Sequence, residues 1–288
     1  MIHLDDNRMK AANAAGGAAS DGVSLVAFYG DAKPEALRTL LATVSGQLAD
    51  RLREFTGLFE PCRLSQVHAT IAGQEGKKAA AASGNIIVGD NARARQDRFG
   101  GVAKPLDFPG LLAFLRQYSW PVPFQFGGYA STDRNPYDLG NPPWDRTFDI
   151  QPNGLVVMMA WPCAKDGTSF APTLLGIRKS LEQYGVVHKY HIDPAGQDND
   201  LFLVLGSLRS EVWRALKDSR RDDRALVALR EARDEIRRGP LARVRVVNMD
   251  LGQLSVVRYK CTTLGKVAFR QSLTEIEPSI MAQQYDGT

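Results

Sequence analysis

Runs of apolar residues in this chain switch repeatedly between the spacing of strands and the spacing of helices. Ser24-Leu25-Val26-Ala27-Phe28-Tyr29-Gly30 is apolar on both faces and predicts a buried strand. Asp31 stands where it would cap a following helix, with Pro34 in the first turn. Leu37, Leu40, Leu41, Val44, Leu48 and Leu52 then recur at helical spacing up to about Phe55. A loop with Pro61 leads into an extended segment over 66–73. Residues 74–104 are rich in Ala, Gly and charge and predict a mobile insertion, with a short hairpin around 85–88. Phe108 to Tyr118 predicts a short helix.

A β-rich block follows. Strands are predicted at 123–129, at 146–150 and, after a Pro152-Asn153-Gly154 turn, at 155–161. The polar loop from Ser131 to Trp144 lies inside this block, and a loop of that length in a compact region is often functional. Ala171 to Tyr184 predicts an amphipathic helix ended by Gly185. Strands are expected at 186–192 and 201–206, helices at 210–217 and 223–238, and a closing hairpin over 244–261 turning at Gly252-Gln253. This mixture of helices and hairpins predicts an α+β fold. Strand, long helix, loop and a strand ending in Gly occur twice, over 24–73 and 155–206, which suggests two related halves with a ligand between them.

Composition narrows the function classes. The 288 residues suffice for one large domain, and the apolar fraction (44%) and charged fraction (24%) are ordinary for a soluble globular protein. Residues 1–21 carry early charges and an Ala/Gly stretch without the apolar core of a signal peptide, so they are expected to be a disordered leader, with 22–288 as a single domain. No apolar run reaches the roughly 18 residues that span a bilayer. Cys62, Cys163 and Cys261 are odd in number and widely spaced, which predicts neither a disulfide framework nor a metal site. A reducing cytoplasm is the expected compartment. The net charge of +4 is mild, and the arginine-dense stretch 209–245 is interleaved with acids, as on a solvated, salt-bridged face.

Candidate chemistry centres on Val67-His68-Ala69-Thr70-Ile71. In an extended segment His68 and Thr70 share one face, roughly 7 Å apart, while Val67, Ala69 and Ile71 face a core. An imidazole moves protons near neutral pH and a hydroxyl donates to an anionic oxygen, so the pair suits a phosphate. The same triplet is also compatible with an ordinary half-buried, hydrogen-bonded histidine. The sequence has no Gly-x-Ser-x-Gly elbow, no phosphate-binding Gly-x-x-x-x-Gly-Lys-Ser/Thr loop and no dinucleotide fingerprint.

The motif, the strand and long helix before it, and the order of elements down to 244–261 resemble the two-histidine (2H) phosphoesterases, which include the 2'-5' RNA ligase-like cyclic phosphodiesterases. The resemblance covers roughly residues 22–270. It implies a bilobal, pseudo-symmetric α+β fold with a central cleft, each lobe supplying one His-x-Thr strand. One imidazole would take a proton from the attacking oxygen and the other would give one to the leaving oxygen. It implies a nucleotide, cyclic phosphate or RNA end as ligand, and neither metal nor cofactor. His68 and Thr70 match the first motif. The second is degenerate: aligned on Gly206, Leu201 and Leu203 take the histidine and threonine places, and a shift of one gives Phe202 and Val204.

Other candidates to contact such a ligand are His188 and His191, which precede the degenerate strand, Arg146 after a Pro- and aromatic-rich loop, and Arg258 and Tyr259. Arginine grips phosphate bidentately. The readings left open are a ligand-binding relative with weak or absent hydrolysis, an active metal-independent phosphodiesterase using His188 or His191 as second acid/base, and a protein-interaction module. The oligomeric state is not determined by sequence.

Overall fold

The computed structural model describes residues 22–74, 76–81, 84–89, 104–138, 142–164, 167, 169–187, 198–209, 224–261 and 263–286. The leader, His188 and His191, and the expected helix at 210–217 lie outside them. Twelve strands occur among the described residues: β1 (Gly22–Ala27), β2 (Phe59–Pro61), β3 (Ala69–Gly73), β4 (Gly76–Ala81), β5 (Gly84–Gly89), β6 (Val122–Phe126), β7 (Phe148–Ile150), β8 (Leu155–Pro162), β9 (Leu201–Leu208), β10 (Arg245–Met249), β11 (Leu254–Tyr259) and β12 (Val267–Ser272). The α-helices are α1 (Glu35–Arg51), α2 (Phe108–Gln117), α3 (Pro143–Arg146), α4 (Thr173–Leu181), α5 (Arg224–Arg238) and α6 (Pro278–Gln283). No helix among the described residues is long and apolar enough to cross a membrane.

The main sheet runs β10-β6-β8-β9-β3-β1-β11-β12, with β2 pairing β9 and β7 pairing β8. Every pairing is antiparallel, so the fold is mixed α/β with an antiparallel sheet. Alternation along the strands sorts side chains by face. Leu25, Ala27, Val156, Met158, Leu201, Leu203, Leu254 and Val256 join the buried stripes of α1, α2, α4 and α5 in one continuous core. The other face carries two smaller clusters. Val26, Val257, Tyr259 and Leu264 form one, with Tyr29 against it. Tyr129, Val157, Met159 and Trp161 form the second, with Trp144, Phe170, Phe202 and Val204 at its margin.

Three expectations need correction. The segment 244–261 is not a hairpin: β10 pairs β6, whereas β11 pairs β1 and β12. The Gly252-Gln253 signal marks a single 3-10 turn, Leu251–Gln253, closed by a capping box from Asp250. Six strand spacings separate β10 from β11 in the sheet order, about 29 Å if flat. The connection from Met249 to Leu254 spans at most about 18 Å. The sheet therefore curves until its two ends approach. A local turn signal fixes a reversal but not which strands pair after it.

Second, Asp31 does not cap α1. It lies in a 3-10 turn, Gly30–Ala32, and the helix starts after Pro34 with no side-chain cap. Third, the described part of 74–104 contains a hairpin of β4 with β5, so 84–89 is one strand of a pair rather than the whole turn. It docks on the C-terminal segment: Lys78 pairs with Asp286, and Tyr285 Oη donates to the Gln74 carbonyl at 2.6 Å.

Candidate functional site

Thr70 owes its position to a register shift. Ala69 pairs with Ala27 and Thr70 with Val26, but Ala72 pairs with Leu25, which makes Ile71 an extra residue. Such a bulge leaves backbone groups without ladder partners. On its other side β3 meets β9 only at Ala69 opposite Leu203. Arg178 of α4 fills the gap. Its Nε donates to the Ile71 carbonyl (3.0 Å) and Nη2 to the Thr70 carbonyl (3.0 Å). Nη1 donates to the Asp198 carbonyl and carboxylate and to the Asp200 carbonyl. The side chain is 3% exposed. Ile71 and Ala72 face the main core while Thr70, half-buried, stands on the opposite face beside Val26.

His68 lies just before β3 rather than within it, so the strand's pleat does not orient it. Its orientation comes from neighbours. Nδ1 sits 2.7 Å from the Gln66 carbonyl. A carbonyl only accepts, so Nδ1 carries the proton and Nε2 the lone pair. The Tyr29 ring meets the imidazole edge-on at 6.2 Å between centroids. Burial pushes the His68 pKa down to about 4; the Gln66 carbonyl opposes this and Lys33 adds to it. The imidazole is therefore neutral at pH 7, a hydrogen-bond acceptor and a weak base.

Two cations beside this pair escaped the sequence reading. Lys33, 5% exposed, bends back so that Nζ donates to the Gly30 carbonyl at 3.2 Å. Burial lowers its pKa to about 8, with Arg38 and Arg270 adding to the shift and Asp31 opposing it. The exposed Arg270 guanidinium lies 5.4 Å from the centroid of the Tyr29 ring. The signal for Lys33 was a cation directly before the proline that opens α1, where the helix dipole favours acids. Arg270 had none, because only the β11–β12 pairing brings it to this face.

The second half presents different chemistry. Leu201 and Leu203 are fully buried in the main core. On β9 the positions on the other face are Phe202 and Val204, and alternation continues that face to Asp200. Asp200 is held by Arg146, which also pairs with Asp138. Trp161 Nε1 donates to Asp138 at 2.8 Å, and its ring lies 5.7 Å from the Arg146 guanidinium carbon. Burial disfavours the Arg146 charge, but the carboxylates of Asp200, Asp138 and Asp198 outweigh it and its pKa is raised. Arg146 was a candidate phosphate grip. The structure instead commits its guanidinium to two carboxylates, at 11% side-chain exposure.

Arg258 and Tyr259 also part company. Arg258 pairs with Val23, a residue of the main core, and so lies on the face away from Thr70. Tyr259 is on the Thr70 face but is 6% exposed in the cluster around Leu264, and its hydroxyl accepts from Ser24 Oγ at 3.4 Å. The structure thus gathers His68 and Thr70 with Tyr29, Lys33 and Arg270, and leaves Arg146, Arg258, Leu201 and Leu203 out of that group.

No family model matches the sequence, and no curated protein matches it. Solved structures that it resembles include TT0787 of Thermus thermophilus, at 15% identity over 88% of this chain and 97% of that one, with a TM-score of 0.37. Another is Usb1 of Kluyveromyces marxianus with uridine monophosphate, at 12% identity over 88% of this chain and 99% of that one, with a TM-score of 0.36. Likeness this distant leaves fold and function to be argued from the chain's own residues.

Proposed function

We propose that this chain is a two-histidine-phosphoesterase-like protein that holds a phosphodiester-bearing ligand (a nucleotide, a cyclic phosphate or an RNA end) against His68 and Thr70, and hydrolyses it weakly or not at all. Strand order supports a duplicated, bilobal unit: β1-α1-β3 and β8-α4-β9 repeat one arrangement, and their second strands lie side by side at the middle of the sheet. β3 and β9 pair only at Ala69 opposite Leu203, and beyond it the buried Arg178 guanidinium bridges the two strands, so the ligand is proposed to lie over the Thr70 face of this seam rather than between the strands.

The observation that carries the reading is the contrast across that seam. On β3 the face away from the main core offers Thr70, led into by an imidazole whose Nε2 has no hydrogen-bond partner among the described residues. On β9 the same face offers Asp200, Phe202 and Val204, with Asp200 already paired to Arg146. Thr70 Oγ would donate to a phosphate oxygen, and His68 Nε2 would accept a proton from the ligand or an attacking hydroxyl. Hydrolysis also needs an acid to protonate the leaving oxygen, and Phe202 and Val204, the β9 residues nearest Asp200 on this face, supply none. Acid–base help is worth about 10² to 10⁴ in rate, so a site with one member, itself a weak base, binds better than it turns over.

The test is incubation with 2',3'-cyclic nucleotides, linear dinucleotides and cyclic oligonucleotides, with chelator present, alongside equilibrium binding. Saturable binding without turnover, weakened in His68→Ala, is expected. Turnover abolished by His68→Ala would instead establish an active phosphodiesterase and direct the search for its acid to His188 and His191. Absence of both binding and turnover would sink the phosphate reading and leave a protein-interaction role.

A further inference from the structure

The His68–Thr70 pair is neutral, whereas a phosphodiester is an anion. The ligand's charge needs a partner, and the structure holds one nearby that has little else to bind. Lys33 is an ammonium with three donors, buried to 5% exposure, and among the described residues its only hydrogen-bond acceptor is the Gly30 carbonyl. Among the described residues no carboxylate lies within ion-pairing distance of it. A buried charge without such a partner is costly. It also sits beside the N-terminus of the 17-residue helix α1, where the helix dipole repels a cation and attracts an anion.

The surrounding backbone is bent to keep this loop against the site. Phe28 has φ +63° and Gly30 φ +66°; the left-handed region costs a residue with a side chain roughly 1–2 kcal/mol. The amide of Phe28 is held by the Gln253 carbonyl at 3.0 Å and that of Gly30 by the Ser65 carbonyl at 2.8 Å. The second bond ties the Lys33 loop directly to the segment that carries His68. At Gly30 a side chain would collide with the Arg270 guanidinium, so glycine lets Arg270 close over the loop. Arg270 too has no carboxylate partner among the described residues. Tyr29 links the parts, its ring touching both the imidazole and the guanidinium.

We propose that Lys33 is the charge-bearing anchor for the ligand's phosphate, with Arg270 as an outer cation at the mouth of the same site. This rests on the phosphate reading above and deepens it: recognition is divided between a neutral pair, His68 and Thr70, that orients the phosphate and a cationic pair that supplies affinity. The groups facing Lys33 are Arg38 on α1, Arg270 on β12, Asp31 in the loop and His68 before β3. The two arginines disfavour its charge and Asp31 supports it, so an incoming anion relieves repulsion as it binds.

The experiment is calorimetric titration of the full chain with adenosine 2',3'-cyclic monophosphate and with inorganic phosphate, at neutral pH and above pH 8. Lys33→Met, similar in length but uncharged, is expected to weaken binding of both by about tenfold or more, the scale of one charge-assisted hydrogen bond. Wild-type affinity is expected to fall as pH rises through about 8, and the Lys33→Met variant is expected to lose that dependence. Arg270→Gln, at an exposed position, should weaken binding severalfold and flatten its dependence on salt. If Lys33→Met binds like wild type while His68→Ala weakens binding, the anchor is wrong and the phosphate reading survives. If the wild type binds neither probe, both fall. Should Lys33→Met fail to fold, the Arg270→Gln titration decides, and unchanged affinity and salt dependence there overturn the proposal.

Discussion

At the scale of residues, stability and binding pull against each other at Lys33. Its lowered pKa means the folded state disfavours the charged form. The unfolded chain holds a proton that the folded chain gives up between about 8 and 10.5, so Lys33 costs stability below that window and the cost fades as pH rises through it. Lys33→Met is expected to raise stability at neutral pH by on the order of 2 kcal/mol, read from urea denaturation; a loss of that size would mean the ammonium is structurally satisfied. His68 behaves similarly at lower pH. Its folded pKa of about 4 lies below the ordinary 6.5, so the unfolded chain takes up a proton first as pH falls. Stability should decline between pH 6.5 and 4, with His68 responsible for up to about 3 kcal/mol. A pH series of denaturation midpoints in wild type and His68→Gln checks this, the variant showing the shallower decline. The burial of Val67, Ala69 and Ile71 was legible from local alternation, whereas the orientation of His68, which precedes β3, comes from the Gln66 carbonyl and the Tyr29 ring. The burial of Lys33 was not legible, because it is not encoded in its neighbours: one lysine before a proline looks like any other until the chain folds over it.

At the scale of elements, the seam between β3 and β9 is held by a side chain where backbone pairing stops. Arg178 supplies hydrogen bonds to the carbonyls of Thr70, Ile71, Asp198 and Asp200. Arg178→Met would remove the donors to these carbonyls and the ion pair to the Asp198 carboxylate. The expected loss is about 3–5 kcal/mol in chemical denaturation, with weaker ligand binding because Thr70 loses its fixed position. A change below about 1 kcal/mol would show that water replaces the guanidinium easily. The helix at 173–181 was predictable from its apolar spacing and its Gly185 stop, where φ is +79°. That its one buried arginine would serve a bulge a hundred residues earlier was not, since the bulge arises from a register between β1 and β3 that no single segment contains. The loop from Ser131 to Trp144 gave the opposite surprise. Its length and polarity suggested a functional loop, yet Asn135 and Asp138 are 1% and 0% exposed. Asp138 turns inward to Arg146 and Trp161, and a paired charge can be buried where a lone one cannot.

At the scale of the molecule, one core joins residues from Val23 to Tyr285 and spans both repeats of strand, helix and strand. Halves that share a continuous core should unfold together. Tryptophan fluorescence, to which Trp161 on β8 of the second repeat contributes, and far-UV circular dichroism, which samples both repeats, are expected to trace one coincident denaturation curve. Separate midpoints would mean that the seam at Ala69 and Arg178 is weaker than the core beneath it. The curvature of the sheet belongs to this scale as well, since it follows from a short connection between strands that sit far apart in the sheet order.

The sequence by itself determined the α+β class, the strands and helices with strong periodicity, and a histidine–threonine pair backed by apolar neighbours, because each depends on residues within a few positions of one another. Tertiary structure alone decided that β10 and β11 do not pair, that Arg146 is consumed by Asp138 and Asp200, that Arg258 faces away, and that Lys33 and Arg270 converge on His68. Those outcomes depend on strand register and on which charges are enclosed together, and both are set by contacts between segments far apart in the chain.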